Sequence, residues 1–227
     1  MFYGFLVGYL IATLWESLIH QYVGHATKSC QHFLERHVAF CWLFSRTCFQ
    51  HDVIHHKKTF LDHFFIQFRD EEERDALHRW LVVQPIMSDK YFTLIQQEKY
   101  GLTLKGSGII SFFAPVIIVP PLCGWLVGWS FASGVSVMLL IPVLLSKYIH
   151  PYLHMPLEYA VCRASPIQSL VLRSAFGRFL YSYHYLHHQH PSMNFNLFPG
   201  GDMLRGRFYR ATRQERVEME QLGLPVH

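Results

Sequence analysis

Ten of the sixteen histidines in this 227-residue chain fall into four tight groups. They are His20-x4-His25, His51-x3-His55-His56, His150-x3-His154 and His184-x2-His187-His188. Neutral imidazole is a good ligand for iron, zinc and other borderline metals. Ten imidazoles overfill the shell of one ion and suffice for two. On a helix His51 and His55 share a face one turn apart, with His56 turned to a neighbouring direction, and His150 and His154 have the same relation. His184 and His187 are three apart, with His188 one turn after His184, so each HH pair can send adjacent rings to two different ions. His20 and His25 lie about 140° apart around an ideal helix and need a helix end or a distortion between them; Gly24 supplies that freedom.

The other six histidines carry less. His190 precedes Pro191 and reads as a supporting or surface residue. His32, His37, His63 and His78 have no partner pattern and read as structural, and His227 as solvated. Among the acids, Glu16 lies one turn before His20 in an apolar segment, where a carboxylate is costly unless paired. It is a candidate to orient a ligand imidazole. Glu158, one turn after His154, is a candidate for the same role, and Asp52, Asn194 and Asp202 are further polar candidates. The five cysteines lack a CxxC pair and suggest neither a disulfide framework nor a thiolate zinc site; they read as small buried hydrophobes.

The elements that must position these side chains are apolar. Half the chain is hydrophobic, and mean hydropathy is above zero. Residues 2–19 contain one acid, Glu16, and neither 106–124 nor 125–146 holds any charge. These lengths match a hydrocarbon core about 30 Å thick, and the pattern predicts membrane spans near residues 2–19, 106–122 and 126–149. The first has no basic n-region or cleavage pattern and is expected to be a retained membrane helix rather than a signal. Prolines 115, 120, 121 and 142 are tolerable in bilayer helices, and Pro120 to Gly124 is expected to reverse the chain between the last two spans. By parity all four histidine groups then fall on one side. Lys28, Arg36, Arg46, Lys57 and Lys58 beside the first span make that side cytoplasmic. Residues 32–49 and 167–185 are each expected to form an interfacial helix, and 71–81 a solvated one.

The net charge is +4, and the arginines at 163, 173, 178, 205, 207, 210, 213 and 216 are grouped. Without a reading motif or aromatic platform they suit a membrane face or an acidic redox partner rather than nucleic acid. No Gly-rich nucleotide fingerprint and no iron–sulfur cysteine cluster is present.

These four groups, with Asn194-Phe195-Asn196-Leu197-Phe198 and Asp202-Met203-Leu204-Arg205-Gly206 after the last, resemble the fatty acid hydroxylase superfamily of membrane di-iron proteins, which includes sterol desaturase-like enzymes. The layout is nearest to the fatty acid 2-hydroxylases. It departs from them in the x3 spacing of the second group and the longer third-to-fourth interval, and the stretch before His20 is expected to hold no cytochrome b5 domain. The resemblance implies one all-α integral membrane domain over 1–227, with a cytoplasmic-side helical cap around a dinuclear site. It implies that His20, His25, His51, His55, His56, His150, His154, His184, His187 and His188 hold two iron ions, with zinc as a replacement. It further implies O₂-dependent hydroxylation of a lipid or other long apolar substrate, with electrons from an external donor such as cytochrome b5, ferredoxin or a reductase. Desaturation or C–C cleavage on the same scaffold is the second expectation, and metal binding or transport the third.

Overall fold

The computed structural model describes residues 1–56, 71–83 and 107–226, so the expectations for Lys57, Lys58, His63 and His227 lie outside the described residues. Among the described residues all regular structure is helical. In chain order the α-helices are α1 (Phe2–Ile19), α2 (Lys28–Arg36), α3 (Val38–Cys48), α4 (Glu71–Val82), α5 (Ser107–Leu126), α6 (Trp129–Tyr148), α7 (Leu157–Arg163), α8 (Pro166–Arg173), α9 (Ala175–Gln189), α10 (Gly201–Leu204) and α11 (Arg213–Gln221). Two π-helical segments, His20–Gly24 and Phe49–His55, and a 3₁₀ turn, His150–Tyr152, carry histidines. The sequence reading treats 1–227 as one domain; its contacts group into two units. Unit 1 is Met1–Gln21 with Phe112–His227, and unit 2, Tyr22–Ser111, is inserted between them.

In unit 1, α1 and α6 pack backbone to backbone through glycine. A Cβ on Gly8 would lie 2.8 Å from Val135 Cα, and one on Gly134 would lie 2.6 Å from the Met1 carbonyl. Ala12, Val135 and Leu139 form the buried core there, with Val116, Val119 and Cys123 of α5 against it. Phe2–Gly24 and Trp129–Tyr152 are long and apolar enough to cross a membrane, and Phe112–Leu126 is a shorter apolar helix.

The expected reversal at Pro120–Gly124 is corrected. Helix α5 runs through all three of its prolines to Leu126. The turn falls at Val127–Gly128, where both amides donate to the Cys123 carbonyl and Gly128 adopts φ 118°, open to glycine alone at little cost. A helix can absorb a proline by losing one hydrogen bond, whereas the left-handed residue ends it.

The single interfacial helix expected over 167–185 is two helices. Ser174 is extended and caps α9 by accepting the Gly177 amide, and Ser165 caps α8 in a reciprocal box with Gln168. α11 starts with the same device, Thr212 with Glu215. Residues 32–49 likewise form the ends of two helices that break at His37. In unit 2 Ala26, Leu34 and Cys48 form a small core with Cys30 and Cys41 around it. Cys162, expected to be buried, is exposed on α7.

Candidate metal centre

The face of α1 that runs through Tyr9, Thr13, Glu16, Ser17 and His20 is polar at helical spacing, and in unit 1 it grips the loop after α9. Tyr9 and Thr13 donate to the carbonyls of Pro199 and Phe198, each at 2.7 Å. Buried Glu16 accepts the amides of Leu197 (2.9 Å) and Phe198 (3.0 Å) and the Asn196 side chain (3.1 Å). Ser17 donates to Asp202 at 2.5 Å, and Asp202 also accepts the Tyr183 hydroxyl (2.6 Å) and the Asn196 amide (2.7 Å). Burial pushes the Asp202 carboxyl up, against these donors and nearby Arg205, and burial and Asp202 push the Tyr183 hydroxyl up as well.

The gripped loop reaches two histidines. The Phe195 carbonyl accepts the His20 Nδ1 proton, and the Met193 carbonyl accepts that of His187 at 2.8 Å. Both rings are thereby set in the tautomer whose Nε2 carries a lone pair. His20 and His187 stand edge to face, centroids 4.5 Å apart, with ligand atoms within 4.8 Å of each other. Asn194 braces the loop from behind. At φ 53° it pairs with both backbone groups of Tyr209, at 2.8 and 3.1 Å, and its amide donates to Arg207.

The second arrangement in unit 1 is a triangle. The Nε2 atoms of His150, His154 and His184 are each 3.0 Å from the other two, and His188 Nε2 lies 3.2 Å from that of His184. His150 and His154 converge from a 3₁₀ turn and the bend after it rather than from the expected α-helix. A neutral Nε2 is either donor or acceptor, and a donated proton points at one neighbour. An ion about 2.1 Å from each nitrogen, with ligands at right angles, spaces neighbouring nitrogens about 3.0 Å apart. His154, His184 and His188 are among the groups whose ligand atoms fall within 4.8 Å of one another.

In unit 2 the π-helical segment rearranges the second group. His51 Nε2 meets His56 Nε2 at 3.1 Å and His25 Nε2 at 3.2 Å. The one-turn relation expected for His51 and His55 is corrected, because a π turn holds about one residue more than an α turn and brings residues five apart together. His55 stacks beside His51, centroids 5.4 Å apart, and is buried. His25 Nδ1 donates to Asp52 at 3.0 Å, and Asp52 is steadied by Gln31 at 3.2 Å, whose amide also donates to the Ala26 carbonyl. A carboxylate behind an imidazole is the usual support of a metal-binding histidine. The segment His20–Gly24 is the helix distortion that the five-residue spacing requires.

The remaining candidates are placed elsewhere. Glu158 is exposed on α7, 3.6 Å from Arg173, because Pro156 ends the turn carrying His154 and starts a new helix. Its expected orienting role is corrected to a surface pair. His190 pairs with Glu215 at 2.6 Å. Arg205, counted with the docking charges, is turned inward to Ser17 and Gln21. Tyr183, Ser17 and Gln31 escaped the sequence reading, and Asn196 entered it only within the resembling segment; Ser17 belongs to the polar stripe of α1, a visible signal, and Tyr183 and Asn196 answer that stripe. No family model, no curated protein and no solved structure matches the chain.

Proposed function

We propose that the chain is a membrane-bound di-iron monooxygenase that hydroxylates an unactivated C–H bond of a lipid or another long apolar molecule. The observation that supports this best is the Nε2 triangle of His150, His154 and His184, three ring nitrogens each 3.0 Å from the others, a spacing that fits a shared metal ion. With the ten-histidine spacing it favours two ions over one. Bound iron would supply O₂ reduction and C–H oxidation. One oxygen atom goes to carbon, and the other leaves as water with two electrons from an external donor and two protons.

The chain's own work is ligation, orientation and exclusion of water. Asp52 and the carbonyls of Met193 and Phe195 hold protons on Nδ1 of His25, His187 and His20, so Nε2 stays available to metal. His154 and His187 are fully buried, which limits water at the reacting carbon. An apolar groove between α6 and α8 in unit 1, lined by Leu144, Tyr148, Ile149, Ile167 and Val171, ends one residue before His150. It suits an alkyl chain laid toward the triangle. Placement of the site on the cytoplasmic side of a bilayer belongs to the same proposal and is carried by the sequence.

The test is metal analysis of iron-replete, detergent-purified protein, with Mössbauer spectra before and after reduction and exposure to O₂. Two coupled irons per chain that turn over with O₂ are expected, followed by transfer of labelled oxygen to a lipid product. Metal that stays inert to reductant and O₂ after careful reconstitution would overturn the reading.

A further inference from the structure

A second cavity in unit 1 is lined by none of the ten clustered histidines. It measures about 560 Å³, within the usual range for a small-molecule site. Its floor is the α9 face that carries Phe179, Tyr183 and Leu186, roughly 140° around the helix from the face of His184, His187 and His188. Phe208 closes one wall, and Arg210 and Arg216 stand at the mouth. Arg210 lies over the Phe208 ring, 5.6 Å from its centroid. Neither guanidinium has a carboxylate within 4.0 Å among the described residues, while the acids nearby are engaged: Asp202 by Ser17 and Tyr183, Glu215 by His190 and Thr212.

The cavity therefore pairs a largely aromatic and apolar lining with two exposed guanidinium groups that meet no carboxylate among the described residues. We infer that it binds an amphiphile that ends in a phosphate monoester, with the phosphate held by Arg210 and Arg216 and the alkyl part along Phe179, Leu186 and Phe208. Guanidinium forks match phosphate oxygens in geometry as well as charge, and Phe179, Leu186 and Phe208 offer an attached alkyl chain apolar surface. The inference does not depend on metal. Its ligand also reaches Tyr183, whose hydroxyl is bonded to Asp202 in the loop anchor, so occupancy bears on the loop that holds His20 and His187.

The full chain in phosphatidylcholine nanodiscs, titrated calorimetrically with water-soluble dihexanoyl phosphatidic acid, tests this. Dihexanoyl phosphatidylcholine and inorganic phosphate serve as comparators, and empty nanodiscs as blank. One saturable site per chain is expected, at least tenfold weaker for either comparator. The pair Arg210→Gln/Arg216→Gln should lose at least tenfold in affinity, and Arg163→Gln/Arg173→Gln should lose none. Met203→Glu, at a half-exposed position on the lining, should weaken binding without touching either arginine, which keeps the test valid should the double variant not fold. No saturable site, equal binding of inorganic phosphate, or equal loss in both arginine pairs would each overturn the proposal. A preference retained for phosphatidic acid in anionic nanodiscs assigns the site to membrane lipid; its loss by competition there with added alkyl phosphate assigns it to a soluble ester.

Discussion

An imidazole ligand has two nitrogens, and the partner of one fixes the aim of the other. Asp52 gives His25 that partner at 3.0 Å. Asp52→Asn is expected to lower metal affinity by about 10–100-fold, read by chelator competition, with helicity unchanged and Asp52→Glu recovering part of the loss. Glu215 offers a pH test at the same scale. Its burial opposes ionisation, but the bonds from His190 and Thr212 outweigh it and hold its carboxyl below the ordinary value of 4.5. A lowered acid stabilises the fold above its unfolded pKa and loses that contribution as pH falls through the folded one. Glu215→Gln should therefore melt lower than the parent at neutral pH, with the gap closing on acidification below about pH 4. A gap independent of pH would refute the assignment. The histidine groups were legible because their type and spacing admit few other uses. Asp52 was visible as an acid beside a histidine, but its partner His25 is distant in sequence. The Phe195 and Met193 carbonyls were invisible, since backbone acceptors leave no mark on composition.

Helices were easier to find than their ends. The apolar runs gave α1, α5 and α6 to within a few residues, because length and charge decide them. The error at Pro120 came from weighing a helix breaker above a glycine eight residues on; the break at Ser174 came from a side-chain cap shorter than the apolar period, and that at His37 from a backbone that leaves helical geometry without one. The distortion at His20–Gly24 was signalled by the five-residue histidine spacing, whereas the π segment Phe49–His55 left no mark, since an extra residue in a turn changes which rings meet without changing the pattern. Packing of α1 on α6 can be tested at one of its close approaches, Gly134. Gly134→Leu forces a side chain into the Met1 carbonyl, 2.6 Å from where its Cβ would start, and should cost about 1–3 kcal/mol, measured as a drop in denaturation midpoint. Gly206→Ala, in open space at φ 65°, should cost less, about 1 kcal/mol.

For the whole molecule the open issue is placement in a membrane, for which the two long apolar helices are the physical basis. The exposed thiol of Cys162 reports which face of the bilayer carries α7. Cys48 is an internal control: burial, reinforced by the charge of Asp52, pushes its thiol up to about 12 and out of the reactive range. A membrane-impermeant maleimide should leave Cys162 untouched in intact cells and modify it after permeabilisation, with Cys48 unmodified throughout by peptide mapping. Labelling of Cys162 in intact cells would put α7 on the outer side. The sidedness rests on five lysines and arginines, of which Lys57 and Lys58 lie outside the described residues, so this measurement carries more weight than the charge count.

The grip of α1 on residues 195–205 also has a meaning in time. Ribosomes add about 5–20 residues per second, so Glu16 and its polar neighbours are made roughly ten seconds or more before the amides that will bond them. Throughout that interval a nascent α1 carries an unanswered carboxylate on an otherwise greasy helix, the kind of mark that folding helpers and proteases read as unfinished. The chain thus carries in α1 a lock that closes only after residues some 180 positions later have been made.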